Sequence, residues 1–456
     1  MHQPLDRRAF LQAASVVSVG FLGLRHAIAR SMPLRAGPFG PLNADPAGIF
    51  DLPDGFTCRV ISRVGDRMSD GLFVPGAPDG MAAFPGPDGL TLLVRNHECD
   101  THPNQLSPLG LSYERKDRVD LSNFFDAGHG ATPAHGGTTT IAYDTRTGRV
   151  KAEFLSLGGT LRNCAGGPTP WGSWLTCEES VQLKSDKHEQ DHGWVFEVPA
   201  TAEPKLHKAE PLYDMGRFYH EAVAVDPGTG IVYLTEDRGD SLFYRFLPNT
   251  PGRLAEGGRL QMLAVVDQPS LDTRNHEATT IEVGARLGVH WLDCEDVRSA
   301  DDSLRRRGAI AGAAVFARGE GIAWSADGIY IVCTSGGSAK RGQVWRYHPG
   351  RAEGTADESG CALELFIEPN DASVVDMPDN CTIAPWGDLI LCEDGPGPDS
   401  FLLGVTRDGT VYKIGRNAMS TSELAGATFS PDGSTLFVNI QHDGLTLAIT
   451  GPWPKA

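Results

Sequence analysis

The sequence predicts an all-β chain folded as a six-bladed β-propeller with a metal site at one mouth of its central channel. Three observations carry the fold: short apolar runs recur along the chain, a Gly- or Asp-containing turn introduces each, and long helical periodicity is nearly absent. The runs are Pro87-Asp88-Gly89-Leu90-Thr91-Leu92-Leu93-Val94, Pro170-Trp171-Gly172-Ser173-Trp174-Leu175-Thr176 and Asp226-Pro227-Gly228-Thr229-Gly230-Ile231-Val232-Tyr233-Leu234. Three more follow: Ser325-Ala326-Asp327-Gly328-Ile329-Tyr330-Ile331-Val332, Pro385-Trp386-Gly387-Asp388-Leu389-Ile390-Leu391 and Ser430-Pro431-Asp432-Gly433-Ser434-Thr435-Leu436-Phe437-Val438. The turn residues permit the tight reversal a hairpin needs, and the β-branched and aromatic residues suit buried strands.

Further strands fit between these runs, at residues 136–143, 193–198, 242–246, 342–347 and 404–414. Radial blades of four strands explain such repetition. A pair of β-sandwiches, or five or seven blades, is the alternative. The 456 residues exceed what one ordinary hydrophobic core organises, but repeated units escape that limit because each packs only on its neighbours.

The N-terminus reads as an export signal over residues 1–29. Arg7-Arg8 stands before Ala9-Phe10-Leu11, a weakly apolar stretch runs from Leu11 to Leu24, and Ala27-Ile28-Ala29 offers small residues for cleavage. Paired arginines before Phe-Leu indicate the twin-arginine route, an ordinary secretory signal being the alternative. The apolar stretch falls short of the roughly 20 residues a membrane-spanning helix needs. The expected mature protein is then a single propeller domain over residues 30–456, periplasmic or secreted, monomeric and without a membrane anchor, with the twin-arginine translocase as its partner during export.

The formal charge of −18 becomes −20 once residues 1–29 are removed. Such a surface repels phosphate backbones, excluding nucleic acid as the expected partner, and it concentrates cations. Nine cysteines leave at least one thiol over unless it pairs between chains. Most sit in strand-like runs, where Cys acts as a small buried hydrophobe; a pair such as Cys381/Cys392 stays open.

The ends of the strand runs carry the chemistry. Four end in carboxylates, His97-Glu98, Glu178-Glu179, Glu236-Asp237 and Glu393-Asp394; the last ends in Gln441-His442-Asp443 and the fourth in Cys333-Thr334. Equivalent positions of successive blades lie at one height around the axis, so these acids form a ring at one mouth of the channel; the bland alternative is acids capping strands at a solvated surface. The densest stretch runs from Arg162-Asn163-Cys164-Ala165-Gly166-Gly167 to Cys177-Glu178-Glu179. A thiol in a Gly-Gly turn is expected to be exposed, and the nearby Arg162 to favour its thiolate. Arg318 and Glu320 stand two apart, on one face of a strand: a simple ion pair, or an anion-binding arginine beside a metal-ligand carboxylate. His220-Glu221, Asp379-Asn380 and Glu423 add acids at strand starts. Carboxylates suit Ca²⁺, a thiolate suits iron, and Arg318 and Arg162 suit phosphate oxygens. No Gly-rich phosphate loop, H-E-x-x-H or G-x-S-x-G motif is present.

At these residues the chain resembles the PhoX family of bacterial alkaline phosphatases. The resemblance runs through Val94-Arg95-Asn96-His97-Glu98, the stretch from Asn163 to Glu179, His220-Glu221, Arg318-Gly319-Glu320, Asp379-Asn380 and residues 435–441. It implies a periplasmic phosphatase acting on small-molecule phosphomonoesters, with Fe³⁺ and several Ca²⁺ ions on the propeller axis. Cys164 is implied as the thiolate ligand to iron. Glu179, Glu221, Glu320, Asp379 and Glu423 are implied as carboxylate ligands, Arg318 as the phosphate-binding residue, and Arg162 as a second one. Two departures are the shorter chain and Gly319 where the family pattern has proline. The competing readings are a calcium-dependent lactonase or esterase propeller and a non-catalytic ligand-binding propeller.

Overall fold

The computed structural model describes residues 37–102 and 104–455; the expected export signal at 1–29 lies outside the described residues. The strands in chain order are β1 (Phe50–Asp51), β2 (Thr57–Arg63), β3 (Pro78–Pro85), β4 (Thr91–His97), β5 (Gly136–Asp144), β6 (Arg149–Thr160), β7 (Asn163–Pro168), β8 (Ser173–Glu178) and β9 (Val195–Pro199). Then follow β10 (His220–Val225), β11 (Val232–Glu236), β12 (Tyr244–Pro248), β13 (Gly258–Val265), β14 (Arg286–Asp293), β15 (Gly319–Ser325), β16 (Gly328–Cys333), β17 (Gln343–His348) and β18 (Ala362–Ile367). The last are β19 (Pro378–Ile383), β20 (Leu389–Glu393), β21 (Phe401–Val405), β22 (Val411–Asn417), β23 (Leu424–Phe429), β24 (Thr435–Ile440) and β25 (Leu445–Thr450). One short α-helix, α1 (Leu304–Ala311), is found among the described residues.

Each of the six apolar runs is the hairpin turn and second strand of a unit: β4, β8, β11, β16, β20 and β24. The innermost strands β3, β7, β10, β15, β19 and β23 follow one another around a common centre, each packed on the next and β23 on β3. The chain ends meet in one sheet, where β2 pairs antiparallel with β25. Neighbouring sheets share apolar cores; Met81, Leu93, Ile141 and Tyr143 of one pack on Phe437 and Ala448 of the next. Burying one such large side chain contributes about 1.5–3 kcal/mol.

The six-bladed expectation is corrected by the hydrogen bonding. The strands form five sheets, four of them separate and blade-like and one of nine strands in the order β10-β11-β12-β13-β14-β18-β17-β16-β15. The cause is β14, whose C-terminal half pairs with β13 and whose N-terminal residues pair with β18. It covers two edges that would otherwise stay open and zips the strands on either side into one sheet. The end strands β10 and β15 pack side by side, so this sheet nearly closes on itself.

All six innermost strands carry the same irregularity. After the first paired residues the register slips, so that two residues oppose one: Asp79-Gly80 in β3, Cys164-Ala165 in β7, Glu221-Ala222 in β10, Glu320-Gly321 in β15, Asp379-Asn380 in β19 and Gly426-Ala427 in β23. Such bulges free backbone groups from the ladder and re-aim side chains. Neighbouring units take up the freed carbonyls: Asn96 Nδ2 donates to Cys164 O (3.1 Å) and Ala165 O (2.7 Å), Thr235 Oγ1 to Glu320 O and Asn439 Nδ2 to Asp79 O. Asn96 Oδ1 in turn accepts from Trp174 Nε1 and Thr176 Oγ1, both at 2.8 Å. With four bonds and no exposure, Asn96 ties β4 to the Cys164 bulge. Asn96→Ala is expected to destabilise the protein by about 2–4 kcal/mol in chemical denaturation, because it leaves buried partners unpaired.

Candidate active site

The bulges place one tier of side chains around the channel. Their first residues are Asp79, Cys164, Glu221, Glu320 and Asp379, with Gly426 in the sixth position, and the five with side chains all line one cavity of about 340 Å³. A second tier comes from the residue after each second strand: Glu98, Glu179, Asp237, Asp394 and Gln441, with Thr334 in the remaining unit. Glu423 stands just before β23 and supplies the carboxylate that Gly426 cannot. Gly426 has φ +63°, and a Cβ there would meet Asp79 O at 2.3 Å, so this position accepts no side chain.

The carboxylate pairs read from the sequence divide between two jobs. Glu178, Glu236 and Glu393 are strand residues turned away from the cavity. Glu178 accepts from the backbone N–H of Leu161 (2.9 Å) and Gly193 (2.8 Å), Glu236 from Tyr244 Oη (2.9 Å), and Glu393 from the N–H of Asp376 (2.8 Å) and Phe401 (3.0 Å). The second members, Glu179, Asp237 and Asp394, face the cavity.

Ten carboxylates line this space against two guanidinium groups. Glu221, Glu320 and Asp379 offer oxygens all within 4.8 Å of one another, as do Asp379, Asp394 and Glu423, so Asp379 belongs to both groups. Burial, then repulsion from neighbours, raises their pKa values. Asp79 is pushed well up by burial, Glu98 and Asp379; Glu221 by burial and Asp379; Glu320 by burial and Asp237; Glu423 by burial and Asp394. Glu179 is raised by burial and Glu98 against the pull of Arg162, and Asp379 is pushed up to about 7 by burial and Asp394. Asp79 Oδ2 accepts from Gln441 Nε2 at 2.8 Å, while the buried Oδ1 has no hydrogen-bond partner. An unpartnered buried oxygen and clustered acids with too few cations fit a site built for metal ions.

Both predicted arginines are present. Arg318 holds Asp237 through Nε (2.8 Å) and Nη2 (2.9 Å), and Nη2 also donates to Glu320 Oε1 at 2.7 Å; Nη1 takes part in none of these bonds. Arg162 pairs with Glu98 and Glu179 and lies 3.6 Å from Asp100. Both have left-handed backbones, φ 52° for Arg318 and 47° for Arg162, two residues before an innermost strand's bulge.

Cys164 differs from expectation. It lies not in an exposed turn but in β7, 4% exposed, and its Sγ–H donates toward His220 O at 3.3 Å. Burial, then Glu221 and Glu179, push its pKa well up, because the guanidinium expected to favour the thiolate is spent on Glu98 and Glu179. The sulfur lines the cavity but belongs to neither carboxylate triad. The glycines beside it are set by close packing: a Cβ at Gly166 would meet Leu175 O, and one at Gly167 Val223 O, each at 1.9 Å. All nine cysteines are free thiols, Cys381 and Cys392 included.

Asp79 was not singled out by the sequence reading. Its signal was the likeness of Pro78-Asp79-Gly80 to Pro378-Asp379-Asn380, each opening an innermost strand. Glu98, Asp237 and Asp394 were visible only as members of strand-end pairs.

A cavity ringed by buried carboxylates with two guanidinium groups has the make-up of a metal-dependent site for an anionic substrate. The chain belongs to the PhoX family: the family model described as "Alkaline phosphatase PhoX" matches residues 37–146 and 131–444. It is a metal-dependent phosphomonoesterase. Comparison with curated proteins returns no match. Among solved structures, the fold is similar to that of Pseudomonas fluorescens PhoX in complex with vanadate, a transition state analogue, at a TM-score of 0.66 and 18% identity over 90% of this chain and 97% of that one. A weaker likeness is to the Cps50 (Swd1) β-propeller domain of Myceliophteria thermophila, at TM-score 0.42 and 9% identity over 87% of this chain and all of that one.

Proposed function

We propose that the cavity hydrolyses small-molecule phosphomonoesters with Ca²⁺ and Fe³⁺ as its metals, in a protein exported by the twin-arginine route to the periplasm. The observation that carries this reading is the pair of carboxylate triads joined at Asp379, in one cavity with Arg318. Glu221, Glu320, Asp379 and Glu423, with Asp394 and Asp79, would hold the calcium ions; Glu179 and Cys164 would complete the set, the thiol sulfur suiting iron. Cations bound there supply Lewis-acid polarisation of a phosphoryl oxygen.

The chain's own residues do the rest. Asp237 and Glu320 orient the Arg318 guanidinium through Nε and Nη2, leaving Nη1 for a phosphate oxygen. Arg162, paired with Glu98 and Glu179 in the same cavity, is the second candidate for contact with the substrate dianion. The cavity is too acidic to accept a phosphate without bound cations, so substrate binding depends on metal loading. Arg318→Ala is expected to lower kcat/KM for an aryl phosphate by about 10²–10³-fold at unchanged metal content, the scale of removing one oriented charge donor. Unchanged kinetics in a folded, metal-loaded variant would remove Arg318 from the proposed role.

A further inference from the structure

Behind the Glu178–Glu179 strand end lies a second cluster of metal-ligating atoms that the phosphatase site does not use. Asp126, His188 and His192 offer donor atoms within 4.8 Å of one another. Asp126 Oδ2 faces both rings, 3.0 Å from His192 Nε2 and 3.2 Å from His188 Nδ1. Its other oxygen is fixed by the N–H groups of Gly128 (2.8 Å) and Glu189 (3.2 Å), so the orientation of Oδ2 is set by backbone. The two imidazoles stand 5.5 Å apart at 81°, and one nitrogen of each meets the same Asp126 oxygen. On the far side of His192, Nδ1 is held by Glu178 Oε1 at 2.7 Å. A carboxylate on the outer nitrogen is the arrangement that orients a ligating imidazole and raises its basicity. Asp126 and His192 are fully buried, and only the His188 side chain, 11% exposed, reaches the surface.

We infer that Asp126, His188 and His192 form a separate binding site for a divalent first-row transition ion, with Zn²⁺ the best fit. Two imidazole nitrogens and one carboxylate oxygen make a borderline donor set that selects such ions over calcium. Water would complete the coordination from the side of His188, where the cluster meets solvent. Binding of the ion would replace the direct contact between His192 Nε2 and Asp126 Oδ2, both atoms turning to the metal while Glu178 keeps Nδ1. The site would pin the segment 180–194, which leads out of Glu179, to the segment carrying Asp126.

The test uses the full-length protein, saturated with Ca²⁺ and freed of transition ions, then titrated with Zn²⁺. Expected are a zinc equivalent whose X-ray absorption spectrum shows two imidazole ligands, and a zinc-dependent rise in Tm. The phosphatase cavity cannot produce that spectrum, since His442 is its only imidazole. His188→Ala is expected to lose this equivalent and the Tm rise; His188→Gln, which keeps a polar partner for Asp126, makes the same comparison if the alanine variant does not fold. The inference is overturned if the wild-type protein shows no zinc with two imidazole ligands. It is equally overturned if a folded His188 variant keeps the spectrum and the Tm rise, which would leave the cluster as an ion-paired network only.

Discussion

Asp379→Asn is expected to abolish phosphatase turnover, by at least about 10³-fold, and to lower the calcium content of the purified protein. Asp379 alone belongs to both carboxylate triads, so its loss weakens two metal positions at once. Changing a partner outside the coordination shell typically costs 10–100-fold, and a carboxylate shared by two positions exceeds that. The substitution keeps side-chain volume and the hydrogen bond from Asn380, so the fold is retained. Measuring kcat on an aryl phosphate together with elemental analysis separates the alternatives. Wild-type turnover with full metal content would show that Asp379 does not bridge the centre.

The second large effect is on stability. Stripped of metal, the protein is expected to become less stable as pH rises from about 5 to 8, and added Ca²⁺ is expected to reverse the loss. The carboxyl of Asp379 titrates near its ordinary value of 3.8 when unfolded and at about 7 when folded without cations. Between those values the folded state binds more protons than the unfolded one, so stability falls as pH increases. One such group costs on the order of 4 kcal/mol above pH 7, and Asp79, Glu221, Glu320 and Glu423 shift in the same direction. Thermal melts in chelator at pH 5 and pH 8 measure this directly. Equal Tm values at the two pH values would mean that the acids are not forced together in the metal-free protein.

Much of this architecture was legible locally. A hairpin turn followed by a short apolar run depends on neighbouring residues, and all six runs fold as second strands. The merging of two units by β14 was not legible. Its sequence, Arg-Leu-Gly-Val-His-Trp-Leu-Asp, has polar residues at both ends and one in the middle, and its pairing with β18 joins segments about 75 residues apart. Register is set there by long-range contacts that no local pattern reports.

The site divides in the same way. Glu221, Glu320 and Asp379 stood out because each follows the residue that opens an innermost strand, where the bulge turns it toward the axis. Asp79 obeys the same geometry, but its short Pro-Asp-Gly context looks like a turn. The pairs Glu178-Glu179, Glu236-Asp237 and Glu393-Asp394 could not be divided from sequence, since only strand pairing decides which acid faces the channel. The Cys164 thiolate was misjudged for an electrostatic reason: Arg162 is close in sequence, but two carboxylates of the second tier hold its guanidinium.

The ring of bulge carboxylates, with Cys164, is proposed to hold the metals on which phosphomonoester hydrolysis depends. The most direct test is metal analysis and aryl phosphate hydrolysis on one sample of the protein purified from its native host, beside the Cys164→Ala variant. Expected are calcium with iron in the wild type, iron absent from the variant, and turnover that is lost on chelation and returns with Ca²⁺. A fully metal-loaded wild-type protein that hydrolyses no phosphomonoester would contradict it.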